Sequence, residues 1–250
     1  MFRRAFDPDD VHEMHEIVWR WMGRRDVRRD DPSTWARGKT DGMSRSVRTT
    51  QVFRDAVSDE FVAAIDQLLG KGSWSKGKDW GSLLYSFPRT DGEPWNVAAG
   101  NWHWHDPGLR NLDGLTDLFN FSFISEVQPR GGGTLIADGA HHVLKQYYKE
   151  LGEEILTLKS RVRRLGFYRF HPWLKELANP NADPTDRIKR FMDEPTDVNG
   201  FPVRIIELTG EPGDAMIGHP LLMHCTSMNC SDVPRFMRAN SIKMVEEKRH

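Results

Sequence analysis

Two imidazoles and a carboxylate fall within four residues at His103, His105 and Asp106, inside Gly100-Asn101-Trp102-His103-Trp104-His105-Asp106-Pro107. In an extended strand successive side chains alternate between faces, so His103 and His105 point the same way and could share one metal ion. A third imidazole stands far downstream at His224, and Arg235 follows it by eleven residues. A close histidine pair, a distant histidine and an arginine suit an iron site in which two chain segments supply the ligands and the guanidinium clamps an acidic cosubstrate.

Other histidines carry weaker signals. His12 and His15 lie on a helix with no third ligand type nearby. His141 and His142 are adjacent, and neighbours on a helix point about 100° apart, which makes a shared ion awkward. His219 is five residues from His224 and falls on the opposite face of a continuous strand, where a supporting role suits it better than ligation. Trp102 and Trp104 are expected on the face opposite the histidines, packed as core.

The elements that must position these groups follow from periodicity. Val11, Met14, Ile17, Val18 and Trp21 recur at helical spacing behind Asp7, and Phe61, Val62, Ile65, Leu68 and Leu69 form a second stripe between Ser58 or Asp59 and Gly70. Residues 26–50 are polar and read as a long loop. Trp80 to Phe87 reads as a strand. Leu118 to Ile124 alternates cleanly, with Phe119, Phe121 and Phe123 on one face and Asn120 and Ser122 on the other; pattern alone leaves open which face lines the interior.

Gly131-Gly132-Gly133 turns into a short strand, and without a following Lys-Ser/Thr it is not a phosphate loop. A helix begins near His141. Residues 152–198 are charged and broken by prolines, and read as short helices inserted between two runs of strands. Strand signals resume at 203–208, 215–217, 221–226 and 235–245. The expected architecture is one mainly-β domain spanning 1–250: a double-stranded β-helix (jelly-roll, cupin-like) core with N-terminal helices over about 8–70 and a helical insertion over about 141–195.

Composition narrows the function classes. With 35 basic and 36 acidic residues in 250, net charge −1, no excess charge calls for nucleic acid or an anionic membrane. No apolar run approaches the roughly 20 residues of a membrane span, and the first residues lack the apolar stretch of a secretion signal. Two cysteines, Cys225 and Cys230, do not make a disulfide framework. A cytoplasmic location is the expectation. Oligomeric state is not legible.

The sequence resembles the phytanoyl-CoA dioxygenase family of iron(II)- and 2-oxoglutarate-dependent oxygenases. The likeness is carried by Gly100-Asn101-Trp102-His103, by Gly132-Gly133-Thr134 with Asp138-Gly139-Ala140-His141 where that family writes Pro-Gly-Ser-His, and by Gly213-Asp214, Leu222-Met223-His224, Asn229 and Pro234-Arg235. The resemblance implies His103 and His224 as iron ligands and Arg235 as the anchor of the 2-oxoglutarate remote carboxylate. Thr226 would be a hydroxyl partner, and Asn120 or Ser122 part of the cosubstrate or substrate wall. It implies O2 and a small organic molecule as reactants.

The departure is at the second ligand, where the family pattern His-x-Asp becomes His103-x-His105 with the acid at Asp106. Three readings stay open. His105 is itself a ligand, giving three histidines; a bulge turns Asp106 inward; or the metal function is lost and the histidines are satisfied core residues. Imidazole would fill the position that chloride takes in related halogenases, which speaks against halogenation. A three-histidine iron dioxygenase working without 2-oxoglutarate, and a non-catalytic metal-binding jelly-roll module, are the alternatives.

Overall fold

A computed structural model describes residues 1–37, 45–105, 115–152 and 154–245. Nine strands and eight α-helices are present among them, all strand pairs antiparallel. The helices are α1 (Pro8–Gly23), α2 (Arg45–Arg48), α3 (Gln51–Asp55), α4 (Asp59–Leu69), α5 (Ala140–Leu151), α6 (Glu154–Thr157), α7 (Ser160–Arg169) and α8 (Pro172–Leu177). The strands are β1 (Trp74–Ser75), β2 (Ser82–Ser86), β3 (Asp117–Phe123), β4 (Leu135–Asp138), β5 (Thr196–Val198), β6 (Phe201–Glu207), β7 (Ala215–Gly218), β8 (His224–Cys225) and β9 (Arg235–Met244).

One sheet runs β1-β9-β3-β7 with β2 also on β9; the other runs β5-β6-β4-β8. An isolated antiparallel bridge between His103 and His224 extends the second sheet beyond β8. In chain order, β2, the His103 segment, β3 and β4 alternate between the sheets. After β6 the chain alternates again through β7, β8 and β9. That winding of two antiparallel sheets is a double-stranded β-helix, the jelly-roll core expected from the sequence.

Packing fixes which face of each strand looks inward. Phe119, Phe121, Phe123 and Met237 from the first sheet meet Ile136, Ile206 and Leu208 from the second in one apolar cluster, so this is the space between the sheets. The intervening residues face outward. Leu118, Phe236 and Ile242 pack under α1, α3 and α4, while Leu135, Ala137, Val203 and Ile205 pack under α5, α7 and α8. The molecule is therefore layered helix, sheet, sheet, helix, each apolar face covered by the next layer.

Local chemistry explains the boundaries. Asp7 accepts from the Asp9 N–H at 2.9 Å ahead of Pro8, a capped start with proline in the first turn. Ser58 caps α4 through the Phe61 N–H, and Gly70 at φ +90° ends it. The expected loop over 26–50 is partly helical: a 3-10 turn covers Pro32–Arg37 and α2 follows, with 38–44 outside the described residues. Asn199-Gly200, both at positive φ, joins β5 to β6. Thr196–Val198 is therefore a strand where the proline-broken stretch is expected to be helical, because Asn-Gly is a hairpin turn.

Candidate functional site

His103 and His224 are held by backbone first. Each donates its N–H to the other's carbonyl, at 3.0 and 2.8 Å. Such a pair presents its side chains on one face. That face is the interior: His224 is in register with Ile136, a residue of the inter-sheet cluster, and its neighbour Cys225 faces outward with Leu135. Trp102 and Trp104 point outward with it into the helix-covered core, as expected, and the Trp104 indole N–H donates to the Tyr148 hydroxyl at 2.8 Å.

The rings of His103 and His224 lie 4.3 Å apart between centroids. His105, two residues on, brings its ring to 5.7 Å from His103 and 5.3 Å from His224. One nitrogen from each of the three lies within 4.8 Å of the other two. Two nitrogens on a common ion at about 2.1 Å are at most about 4.2 Å apart, so the widest pair has to close by at most about 0.6 Å. His105 contributes although the backbone ladder stops at His103. Asp106 falls outside the described residues, and no carboxylate belongs to the ligand group among those described.

Two of the rings have their tautomer set. His103 Nδ1 lies 3.0 Å from the Asn101 carbonyl and His224 Nδ1 lies 2.9 Å from that of Leu222. A carbonyl accepts only, so each Nδ1 carries the proton and each Nε2 keeps its lone pair. Burial pushes the His224 imidazole down to about 4, opposed by the Leu222 carbonyl and reinforced by the charges of His103 and His105. His224 is therefore neutral near pH 7, the form a metal requires.

Aromatic rings wall the site. Phe119 stacks on His105 at 4.8 Å and on His224 at 5.1 Å, and Phe121 stands edge-on to His224 at 5.5 Å. With the phenylalanines inward, Asn120 and Ser122 are turned away. The Asn120 amide donates to Asn240 across the outer face at 2.9 Å, and Ser122 sits opposite Arg238. The polar wall expected from these two residues is thus replaced by an apolar one, because β3 packs its large rings between the sheets.

Arg235 shares the inward face of β9 with Met237 and Ala239 and is 3 % exposed. One guanidinium nitrogen donates to the Leu84 carbonyl at 3.2 Å, and Nε is buried with no hydrogen-bond partner. Burial lowers its pKa to about 10, against the opposing pull of Glu207. A buried cation short of acceptors fits an anionic ligand. It borders a cavity of about 170 Å³ also lined by Gln128, Gly131 and Ser231 and by the carboxylates Glu126 and Asp232. Thr226 is exposed, whereas Ser227, next to it, donates to the Gly133 carbonyl at 2.7 Å.

Asp117 was missed by sequence reasoning. It opens β3 on the same face as Phe119, in register with Lys243, and its half-buried carboxyl is raised by desolvation, opposed first by the Thr116 hydroxyl that donates to it at 3.0 Å and then by Lys243 and His105. The alternation through Phe119 carried that signal. His141 and His219 stack at 4.9 Å at the entry to α5, apart from the ligand group. His219 Nδ1 accepts the Leu221 N–H at 3.0 Å, which leaves its proton on Nε2 and makes that nitrogen a poor ligand.

No protein-family model matches the chain, and no match was found among curated proteins. Solved structures do resemble it in shape. HygX from Streptomyces hygroscopicus with nickel and 2-oxoglutarate bound is 15% identical with a TM-score of 0.47, the match covering 98% of this chain and 81% of that one. The epimerase SnoN in complex with Fe3+, alpha ketoglutarate and nogalamycin RO is 14% identical at 0.48, covering 97% and 77%. AviO1 from Streptomyces viridochromogenes Tue57 is 11% identical at 0.48, covering 98% and 88%.

Proposed function

We propose that this protein is a non-haem iron(II), 2-oxoglutarate-dependent oxygenase that oxidises a small organic molecule. His103, His105 and His224 hold the metal, and Arg235 binds the cosubstrate. The observation that carries the reading is the convergence of three imidazoles from two distant segments, His224 buried, His103 half-buried and His105 exposed at the mouth, two of them with Nδ1 committed to a carbonyl. Bound iron(II) with 2-oxoglutarate would supply activation of O2 for attack on a carbon–hydrogen bond.

The chain's own residues position and shelter that chemistry. Three neutral imidazoles leave the charge of the ion uncompensated, which favours a dianionic cosubstrate over a neutral one. Arg235 fixes the far carboxylate of that dianion by charge-assisted hydrogen bonds and gains the acceptors it lacks. Phe119 and Phe121 pack against the His105 and His224 rings and limit how a substrate approaches.

The test is O2-dependent release of succinate from 2-oxoglutarate by the iron-loaded protein, with His224→Ala as control. Succinate in step with oxygen consumption, lost in the variant, supports the reading; an iron-loaded protein that never turns over 2-oxoglutarate overturns it. A second reading, oxygenation at a three-histidine iron without 2-oxoglutarate, is favoured by the ligand group holding no carboxylate among the described residues. It requires activity that survives Arg235→Ala yet vanishes on removal of iron. A metal-binding module without turnover is the outcome if neither activity is found.

A further inference from the structure

Arg187 lies outside the histidine cluster and is 2 % exposed, yet its neighbours are carbonyls. Nε donates to Val97 O at 3.0 Å, one terminal nitrogen to Ala98 O at 3.0 Å and Leu177 O at 3.1 Å, and the other to Glu176 O at 3.4 Å. Its plane rests over the Phe191 ring, 4.8 Å from the centroid. Glu176 and Leu177 end α8, where carbonyls are short of partners within the helix and a cation is favourable; Glu176 O also accepts the Asn179 N–H at 3.3 Å. One guanidinium therefore joins the end of the helical insertion to the chain entering the histidine segment.

From Ala98 the connection continues to the site. Its carbonyl also accepts the Trp102 indole N–H at 3.0 Å, and the Trp102 carbonyl accepts the Tyr168 hydroxyl from α7. Between them Gly100 and Asn101 take positive φ, +82° and +58°. A Cβ on Gly100 would stand 3.3 Å from Pro180, so the turn is pressed against the insertion. Asn101 then offers its carbonyl to His103 Nδ1. Arg187, Pro180 and Tyr168 hold three successive points of this turn.

We propose that Arg187 is a positioning residue of the metal site: by holding Val97 and Ala98 against the end of α8 it sets the Gly100–Asn101 turn that presents His103 in its ligating tautomer. The proposal rests on the reading of the histidines as metal ligands. Lysine cannot replace the fork, since it offers a point charge where four carbonyls on two elements are met by a plane of donors.

The experiment titrates cobalt(II) into wild type, Arg187→Met, Arg187→Lys and Arg238→Met, following the visible absorption of the bound ion with folding checked by circular dichroism. Arg238 serves as the control because it is equally buried but donates to the Phe53 carbonyl under the N-terminal helices. Arg187→Met is expected to weaken cobalt binding roughly 10- to 100-fold and alter the spectrum, the range for partners that orient ligands. Arg187→Lys should fall between, and Arg238→Met should stay within about threefold of wild type.

A folded Arg187→Met that binds cobalt like wild type overturns the proposal, as does an Arg238→Met that weakens binding equally. If Arg187→Met does not fold, the metal-free Arg187→Lys protein decides through the nitrogen shifts of His103. A mixture of tautomers, where wild type shows the Nδ1–H form, supports the proposal, and an unchanged Nδ1–H form overturns it. Wild type that binds no cobalt overturns the ligand reading itself, a result distinct from all of these.

Discussion

His103 and His224, 121 positions apart in the chain, exchange both of their backbone hydrogen bonds and so place their imidazoles side by side with centroids 4.3 Å apart. The ladder that builds the second sheet is thus the device that assembles the site. The separation of these two imidazoles is set by a pair of main-chain bonds.

Arg235→Met is expected to weaken 2-oxoglutarate binding by roughly 1.5–3 kcal/mol, the range for hydrogen bonds to a charged group, or roughly ten- to hundredfold in Kd. Thermal stability should change little, because the guanidinium is buried with Nε unpartnered and its removal lifts a desolvation cost. Isothermal titration of 2-oxoglutarate into the metal-loaded variant, beside a melting curve, measures both.

The inward placement of the β3 aromatics separates two neighbouring substitutions. Asn120→Ala should cost about 1 kcal/mol through loss of its bond to Asn240, with metal affinity unchanged. Phe121→Ala empties part of the inter-sheet core and should cost about 3–5 kcal/mol while loosening the rings around His224. Urea unfolding with parallel cobalt titration tests the pair. A loss of metal affinity in Asn120→Ala alone would reverse the assignment of faces.

His141 and His219 are both lowered to about 4, first by burial, then by neighbouring positive charge from His142 and Lys145 respectively. Their unfolded values lie near 6.5, so between pH 6.5 and 4 the unfolded chain binds more protons. Stability is therefore full above pH 6.5 and is lost progressively as pH falls through that window. Urea midpoints at pH 7, 5.5 and 4.5 should decline, and His219→Gln should flatten the decline. A midpoint independent of pH across this range contradicts the burial of these rings.

Cys230 is exposed, while Cys225 is buried and its thiol is pushed up to about 11, mainly by burial. Thiolate is the reactive form. A thiol reagent should label Cys230 quickly in the folded protein and Cys225 only after denaturation, as read by the mass of the modified peptides.

Much of this was legible in the sequence because it rests on local period and chemistry. The histidine pair, the distal histidine, the capped helices at Asp7 and Ser58 and the alternation of β3 are all patterns within a few residues. The face that β3 buries was not legible: alternation is symmetric, and only the opposing Ile136, Ile206 and Leu208 decide it. Nor was Arg187, whose partners Val97 and Ala98 lie about ninety positions away and are main-chain carbonyls with no side-chain signature. The expected strand over 221–226 shortens to His224–Cys225, since Leu222 donates its N–H to the His219 carbonyl in a turn instead of to a neighbouring strand. No helix among the described residues is long and apolar enough to cross a membrane.

The most direct measurement is an anomalous difference map at the iron edge from crystals grown anaerobically with iron(II). The expected result is one peak between the sheets, at about 2.1 Å from a nitrogen of each of His103, His105 and His224. A map without a peak there, or with the ion held at His141 and His142 instead, would contradict the assignment of these three histidines.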